Sequence, residues 1–485
     1  MTATTTVAER LRRQLGTRMP GRDRGWRGTH TTVLLSGLDA PGPGALRATL
    51  RDLAALAPDH RIFHRPGTMR GQSSGLVGRV RPDGPDGPDG PDGPDGPVMT
   101  RWFPVPRPEL ADFCDQLVVP TDAAAGDLDS LQKQLHDQAD PAVPFQVLAG
   151  KNLVALSVAH PLLDGRPVVT LLAELTARAR DGQPPVGLVG ADPRHPLALA
   201  LADHFGRSPG RLLAVARAQR TAPAPAPSPS YSPATGDSRI RWSSDVSSAS
   251  ATSDPGLLSR LHRWRTHNAR GVTRTAVFFA AARAALLDAG LTPAPGLRVL
   301  VDNRRYLPGA AGLTGNFSVG VHLDPPDALD PASVAATLDA GLGAGRPLAT
   351  MALVTARAQR RRPPPQPENV PPLPRPAMVV NYLGRLRELE RLPWQPGLPS
   401  RLATASTPGH PELVTFAITQ LMGRLQVSAS FHASTFDPAR IRHAVEALCT
   451  DPAGLLERAT RPACSNGLLD RPDRSGPAGP AGPAG

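Results

Sequence analysis

The chain has 485 residues, with 54 lysines and arginines against 42 aspartates and glutamates, a formal charge of +12, and 57 prolines beside 46 glycines. So many breakers exclude one uniformly regular domain, and the length suggests two to four units, each able to bury a core. No apolar run approaches the roughly 18 residues that cross a bilayer; residues 276–282, the longest, stop at Arg283, so a membrane span is excluded. The first residues carry arginines without an apolar stretch behind them, which does not read as a secretory signal and predicts a cytoplasmic protein. Cys114, Cys449 and Cys464 are odd in number and lack C-x-x-C spacing, which argues against a disulfide framework or a zinc site and leaves buried or incidental thiols. Only Lys133 and Lys151 are lysines, and aromatic residues make up 4%. The positive charge therefore tracks an arginine-rich composition rather than a basic stripe interleaved with aromatics, and no nucleic-acid role is expected. Attraction to acidic partners remains physically reasonable.

In chain order, residues 1–28 read as an N-terminal extension and 29–37 as a β-branched strand. Residues 44–57 follow as a helix with Leu46, Leu50, Leu53 and Leu56 on one face. Residues 82–97 are a PDG repeat too short for collagen and read as a loop extension. His136 and Asp140 sit on a polar helix ending at Pro141 and read as solvated. Short strands at 145–148 and 153–158 precede a helix beginning near Pro167. The Pro-alternating segment 222–237 is a semi-rigid linker dividing halves 29–221 and 238–465, both mixed α/β. In the second half, 272–289 is a helix with Thr273 or Thr275 near its start and Gly290 beyond its end. Strands follow at 297–301, 317–323, 378–381, 413–418 and 425–431, with a proline-rich loop at 360–376. A closing helix at 438–448 leads to the Gly/Pro/Ala tail 466–485, which carries no core.

The chemistry concentrates at residues 153–175, which run strand, turn, helix. His160 leaves the strand end, Asp164 lies four residues on, and Gly165 precedes the helix. A neutral imidazole at a strand end can face a cleft and act as a general base, while an acid four residues along can fold under the loop and hold it by an ion pair. An acid and a glycine at those offsets from one of 13 histidines give about 0.1 chance matches, so the pattern needs its context.

SVAHPLLDG resembles the H-x-x-x-D-G motif of the CoA-dependent acyltransferase superfamily, which includes chloramphenicol acetyltransferase, wax ester synthases, polyketide-associated acyltransferases and nonribosomal-peptide condensation domains. Residues 268–290 are similar to the family's helix after the lobe junction. Residues 297–323 resemble its strand with an Arg followed by a Gly-Asn-Phe turn, 378–386 its Asn-Tyr-Leu-Gly segment, and 422–448 its final strand and helix. Together with the start of the chain, the resemblance covers most of residues 29–460. It implies an α/β fold of the two-lobed chloramphenicol-acetyltransferase type, mixed sheets flanked by helices, with an inter-lobe tunnel. It also implies transfer of an acyl or aminoacyl group from a CoA or carrier-protein thioester to a hydroxyl or amine, in bacterial secondary metabolism. By the same resemblance His160 is the base. Asp164 shapes the motif loop by pairing with an Arg of the other lobe, Arg304 or failing that Arg305. Gly165 permits close approach of the lobes, and Asn316 and Asn381 line or brace the tunnel. No metal and no permanently bound cofactor are implied; the phosphopantetheine thioester is the donor, the partners are acyl-CoA or an acyl or peptidyl carrier protein, and the chain is expected to be a monomer.

Three features depart from that pattern. Ala159 stands where condensation domains usually carry a second His. The wax-ester N-terminal signature is absent, and Gly315-Asn316-Phe317 occupies the place of the plant-type Asp-Phe-Gly-Trp-Gly box. The rival readings are a non-catalytic module that binds a carrier protein or synthetase as a scaffold, and a merely hydrogen-bonded His160 with Asp164 capping the next helix. Cys114 reads as a small buried hydrophobe rather than a nucleophile.

Overall fold

The computed structural model describes residues 15–67, 101–122, 127–137, 143–182, 193, 195–221, 240–308, 313–358 and 369–460. The PDG repeat, the 222–237 linker, the tail, Asp140 and Cys464 lie outside the described residues. Eleven strands build two large sheets: β1 (His30–Ser36), β2 (Val118–Pro120), β3 (Phe145–Gly150), β4 (Leu153–Ala159), β5 (Val246–Thr252), β6 (Leu297–Asp302), β7 (Ser318–Leu323), β8 (Ala377–Arg385), β9 (Arg401–Ser406), β10 (Leu413–Leu421) and β11 (Arg424–His432). The first sheet has the order β9-β1-β4-β3-β2 and the second β7-β6-β8-β10-β11-β5. Both are mixed: β2 runs parallel to β3, and β8 parallel to β6 and β10, within otherwise antiparallel ladders. Among the described residues no helix is long and apolar enough to cross a membrane.

Each sheet is covered by helices chosen by their apolar stripe. Over the first lie Pro43–Leu56, with Leu46, Leu50 and Leu53 fully buried, and Gly165–Asp181, which contributes Val168, Leu171, Leu172 and Leu175. Leu56, expected on the same face, closes the helix and is 52% exposed, because the chain turns away there. In the second half Arg274–Asp288 is buried from Ala276 to Leu286 except at half-buried Arg283, and its run of alanines lets the helices Pro331–Gly343, Pro438–Thr450 and Pro452–Thr460 pack close around it. Thr273 caps it by accepting from the Ala276 N–H. Each fully buried Leu, Val or Phe contributes about 1.5–3 kcal/mol relative to an exposed one.

The linker does not separate the lobes cleanly. Strand β9 comes from the second half yet completes the first sheet, pairing from Arg401 with Ser36 to Ser406 with Thr31. Leu386, Leu389, Leu392 and Leu402 join the first core on either side of that crossing. Because β9 is an edge strand, its outward N–H groups need partners. The second sheet supplies them: Leu402 N–H donates to Gln426 Oε1 (3.3 Å), Thr404 N–H to Ser428 Oγ (3.0 Å) and Ser406 N–H to Ser430 Oγ (3.0 Å). Alternation along β11 thus sends Leu425, Val427, Ala429 and Phe431 into a core and Gln426, Ser428, Ser430 and His432 into the seam between sheets, all of them buried.

Residues 15–28, expected as an appendage, also belong to the body: Thr17–Arg18 pairs with Arg101–Pro104, and the short helix Gly21–Arg24 packs on Arg346–Ala358. The helix Leu128–Asp137 is amphipathic rather than solvated: Leu128, Leu131 and Leu135 cluster with Leu34, Leu148, Leu153, Ala155 and Ala403 of the first sheet, while Gln132 and Asp129 accept from Ser248 (2.8 Å) and Ser250 (2.6 Å) of β5. His136 is accordingly half-buried, and burial lowers its pKa. Cys114 is buried, with its thiol pushed up to about 11 by burial, so it is an inert thiol at neutral pH.

Candidate active site

Strand β4 runs through the middle of the first sheet, between β1 and β3, as an uninterrupted buried run from Leu153 to Val158. The ladder continues one residue past its end, where the His160 N–H donates to the Thr29 carbonyl (2.8 Å), and the chain then turns through Leu162 N–H to Ala159 O (2.8 Å). His160 leaves the sheet in this turn and is 7% exposed. Asp164 stands in extended conformation at the N-terminus of the helix Gly165–Asp181, which begins two residues earlier than the sequence suggests. Its main-chain carbonyl starts the helix by accepting from Val168, while its side chain makes no capping bond.

That side chain crosses to the second lobe instead. Asp164 Oδ1 accepts from Arg304 Nη2 (2.9 Å) and Oδ2 from Arg304 Nη1 (3.1 Å), a bidentate pair. Oδ2 also accepts the Phe317 N–H (2.7 Å) and the Ser318 hydroxyl (2.7 Å). The carboxylate is 1% exposed and its lone pairs are met by charged and neutral donors together. Arg304 rides on the turn Asn303–Tyr306 after β6, and its remaining donors reach Asp302 Oδ1 (2.9 Å), Leu313 O (2.8 Å) and Gly315 O (2.6 Å). Burial alone would lower its pKa, but the carboxylates of Asp164 and Asp302 outweigh that and raise it. Arg305, the alternative partner, is exposed, with its guanidinium 5.8 Å from the Tyr306 ring centroid.

Asn316 joins the same group: it is buried, its Oδ1 accepts the Ser318 N–H (3.2 Å), and its Nδ2 lies 3.4 Å from His160 Nδ1. The imidazole also bonds its own main-chain carbonyl, and burial holds its pKa below the usual histidine value, against the nearby Asp164 carboxylate and that carbonyl, which favour the charged form. Gly165 lies half-buried against β8, where an added Cβ would stand 3.2 Å from Leu383 Cδ2 and 3.7 Å from Asn381 Nδ2. The structure therefore gathers His160, Asp164, Arg304 and Asn316 into one bonded group and places Asn381 beside Gly165.

Sequence reasoning missed the first lobe's own lining. Trp26 stacks flat on His160, ring centroids 4.0 Å apart and planes 4° from parallel. Three residues earlier Asp23 is fully buried beside Arg61 (3.4 Å), and burial raises its pKa to about 6 despite Arg61 and Arg22. Ser318 was legible only as the residue two beyond Asn316 on an alternating strand; nothing local marks Trp26. Among the described residues no group of three or more His, Cys, Asp or Glu side chains is placed to hold a metal ion.

No family model matches the sequence, and no curated protein matches it significantly. Solved structures do. The trichothecene 15-O-acetyltransferase TRI3 of Fusarium sporotrichioides aligns at a TM-score of 0.52 and 12% identity over 89% of this chain and 94% of its own. The first condensation domain of the calcium-dependent antibiotic synthetase, in complex with a substrate analogue, aligns at 0.51 and 16% identity over 92% of this chain and 93% of its own. A further structure of that synthetase's first condensation domain gives 0.51 and 18% identity over 92% and 95%. The chain shares the two-lobed, chloramphenicol-acetyltransferase-like fold of these structures.

Proposed function

We propose that the protein transfers an acyl group from a thioester of CoA or a carrier protein to a hydroxyl or amine acceptor, with His160 as general base. One observation carries the reading: a histidine kept neutral by burial at the seam between two lobes, on a loop pinned from the opposite lobe by the Asp164–Arg304 pair. Burial favours the neutral ring, which keeps one unprotonated nitrogen, and the reading assigns that role to Nε2. Nε2 takes the proton as the acceptor oxygen or nitrogen attacks the thioester carbonyl. The tetrahedral intermediate collapses, the carbon–sulfur bond breaks, and the thiolate leaves with the proton returned by the imidazolium. Asp164 takes no proton; it holds the loop. The fold of the neighbours supports this class of reaction, and Ala159 in place of a second histidine favours simple acyl transfer over peptide-bond condensation.

Release of free thiol from a panel of acyl-CoA and acyl-carrier-protein donors, with mixed alcohol and amine acceptors, tests the reading. Turnover is expected, together with a loss of at least about 10²-fold in His160→Ala at unchanged circular dichroism. No turnover with any donor, or equal turnover in both proteins, would overturn it in favour of a scaffold.

A further inference from the structure

The Asp164–Arg304 pair fixes the loop that carries His160, but the Asp164 side chain bonds Arg304, Phe317 and Ser318 rather than the imidazole. The plane of a histidine ring is set by a broad, soft torsion, and the contacts with its own carbonyl and with Asn316 Nδ2 (3.4 Å) touch only the ring's edge, so a contact on the ring's face completes the positioning. We propose that Trp26 is the positioning residue for His160: its indole lies parallel to the imidazole with centroids 4.0 Å apart and 4° between planes, and so fixes the plane in which Nε2 meets the acceptor. This rests on the reading of His160 as base. Rotation of the imidazole out of the stack would drive its edge into the indole face.

The segment that carries the indole is anchored on both lobes. From the short helix Gly21–Arg24 just before it, Arg22 Nε donates to the Asn316 carbonyl (2.9 Å) in the second lobe. Asp23 pairs with Arg61, whose Nη2 also donates to the carbonyl of Pro161 (3.1 Å), the residue after His160. Trp26 N–H bonds Asp23 O (3.1 Å), Thr29 N–H bonds Trp26 O (3.1 Å), and Thr29 O receives the His160 N–H. The chain that aligns the histidine backbone therefore also delivers the ring that covers its side chain. An aromatic face over an imidazole further favours the cation formed during proton transfer. Asp164 is the charge that acts on His160, and it is linked in turn to Arg304 and to the Asp23, Arg22 and Arg61 group, none of which is altered by substitution of Trp26.

Trp26→Leu keeps an apolar cover without a ring, and Trp26→Phe keeps a ring. With the donor that turns over fastest in the thiol-release panel, Leu is expected to lower kcat about 10- to 100-fold while changing KM less than about threefold. It should also move the acid limb of the kcat profile to lower pH, and Phe should recover most of both. Equal effects of Leu and Phe, or a rise in KM at constant kcat, would overturn the positioning role. A second readout needs no turnover. An imidazolium quenches an indole stacked on it, so, with Asp23→Asn in every protein to remove the titration of Asp23 near 6, the difference in emission between the Trp26 and Trp26→Phe proteins should follow one titration, absent in a His160→Gln background. No such titration between about pH 4 and 8 sinks the stack whatever the activity. Absent turnover with the titration intact sinks the acyltransferase reading and, with it, the catalytic role of the stack.

Discussion

Replacing Arg304 by Met removes every hydrogen bond the guanidinium makes and leaves a side chain of similar length. Asp164, 1% exposed, keeps only the Phe317 N–H and the Ser318 hydroxyl, and the carbonyls of Leu313 and Gly315 lose their donor. Breaking a buried ion pair from one side costs about 3–5 kcal/mol, against at most about 1 kcal/mol for an exposed pair. Arg304 is 16% exposed and Asp164 almost wholly enclosed, which places this pair in the first class. Urea unfolding should therefore show a loss of about 3–5 kcal/mol in Arg304→Met, and Arg304→Lys should recover little, because one ammonium cannot replace a planar fork of five donors. The double variant with Asp164→Asn should be less damaged than the sum of the singles by about 1–3 kcal/mol, since each single leaves the other partner stranded. A loss below about 1 kcal/mol, or strict additivity, would refute the assignment of this pair as the clasp between lobes.

Protonation offers two further checks. Burial depresses the His160 pKa, and the base acts unprotonated, so kcat/KM should be flat through neutral pH and fall only below about 6.5; a descent centred above pH 7 would contradict it. Asp23 has the opposite sign. Its folded pKa of about 6 exceeds the ordinary carboxylate value of 3.8, so its contribution to stability is full below about pH 4 and is lost as pH rises through about 6. The unfolding free energy of the unsubstituted protein minus that of Asp23→Asn should fall by up to about 3 kcal/mol between pH 4 and 7, and a flat difference would refute the burial of an acid there.

Local pattern was enough for elements whose burial is periodic. Val33 and Leu35 on β1, the Leu46, Leu50 and Leu53 stripe, and the buried run leading to His160 each declare a strand or helix within a few residues. The turn residues His160, Asp164 and Gly165 were legible because chemistry and spacing coincide in one short segment. What escaped is information carried by distant partners. Arg401–Ser406 has a weak, small-residue alternation, and its ladder lies some 370 positions back on β1. On β11 the serines at 428 and 430 look like a solvated face, yet they are buried because another sheet's edge needs their hydroxyls. Trp26 lies in an arginine- and glycine-rich stretch that, read locally, resembles any tail.

The crossing of β9 also bears on how the molecule is made. The first sheet lacks its edge strand until residue 406 has left the ribosome, some 250 residues after the histidine turn. At about 5–20 residues per second that wait is on the order of ten seconds or longer. During it β1 presents an open edge, a template for wrong pairing with another nascent chain. Neither lobe should therefore be obtainable as a soluble fragment cut at the linker, whereas a first-lobe fragment supplied with a synthetic peptide spanning 386–406 should be rescued, the strand entering in trans.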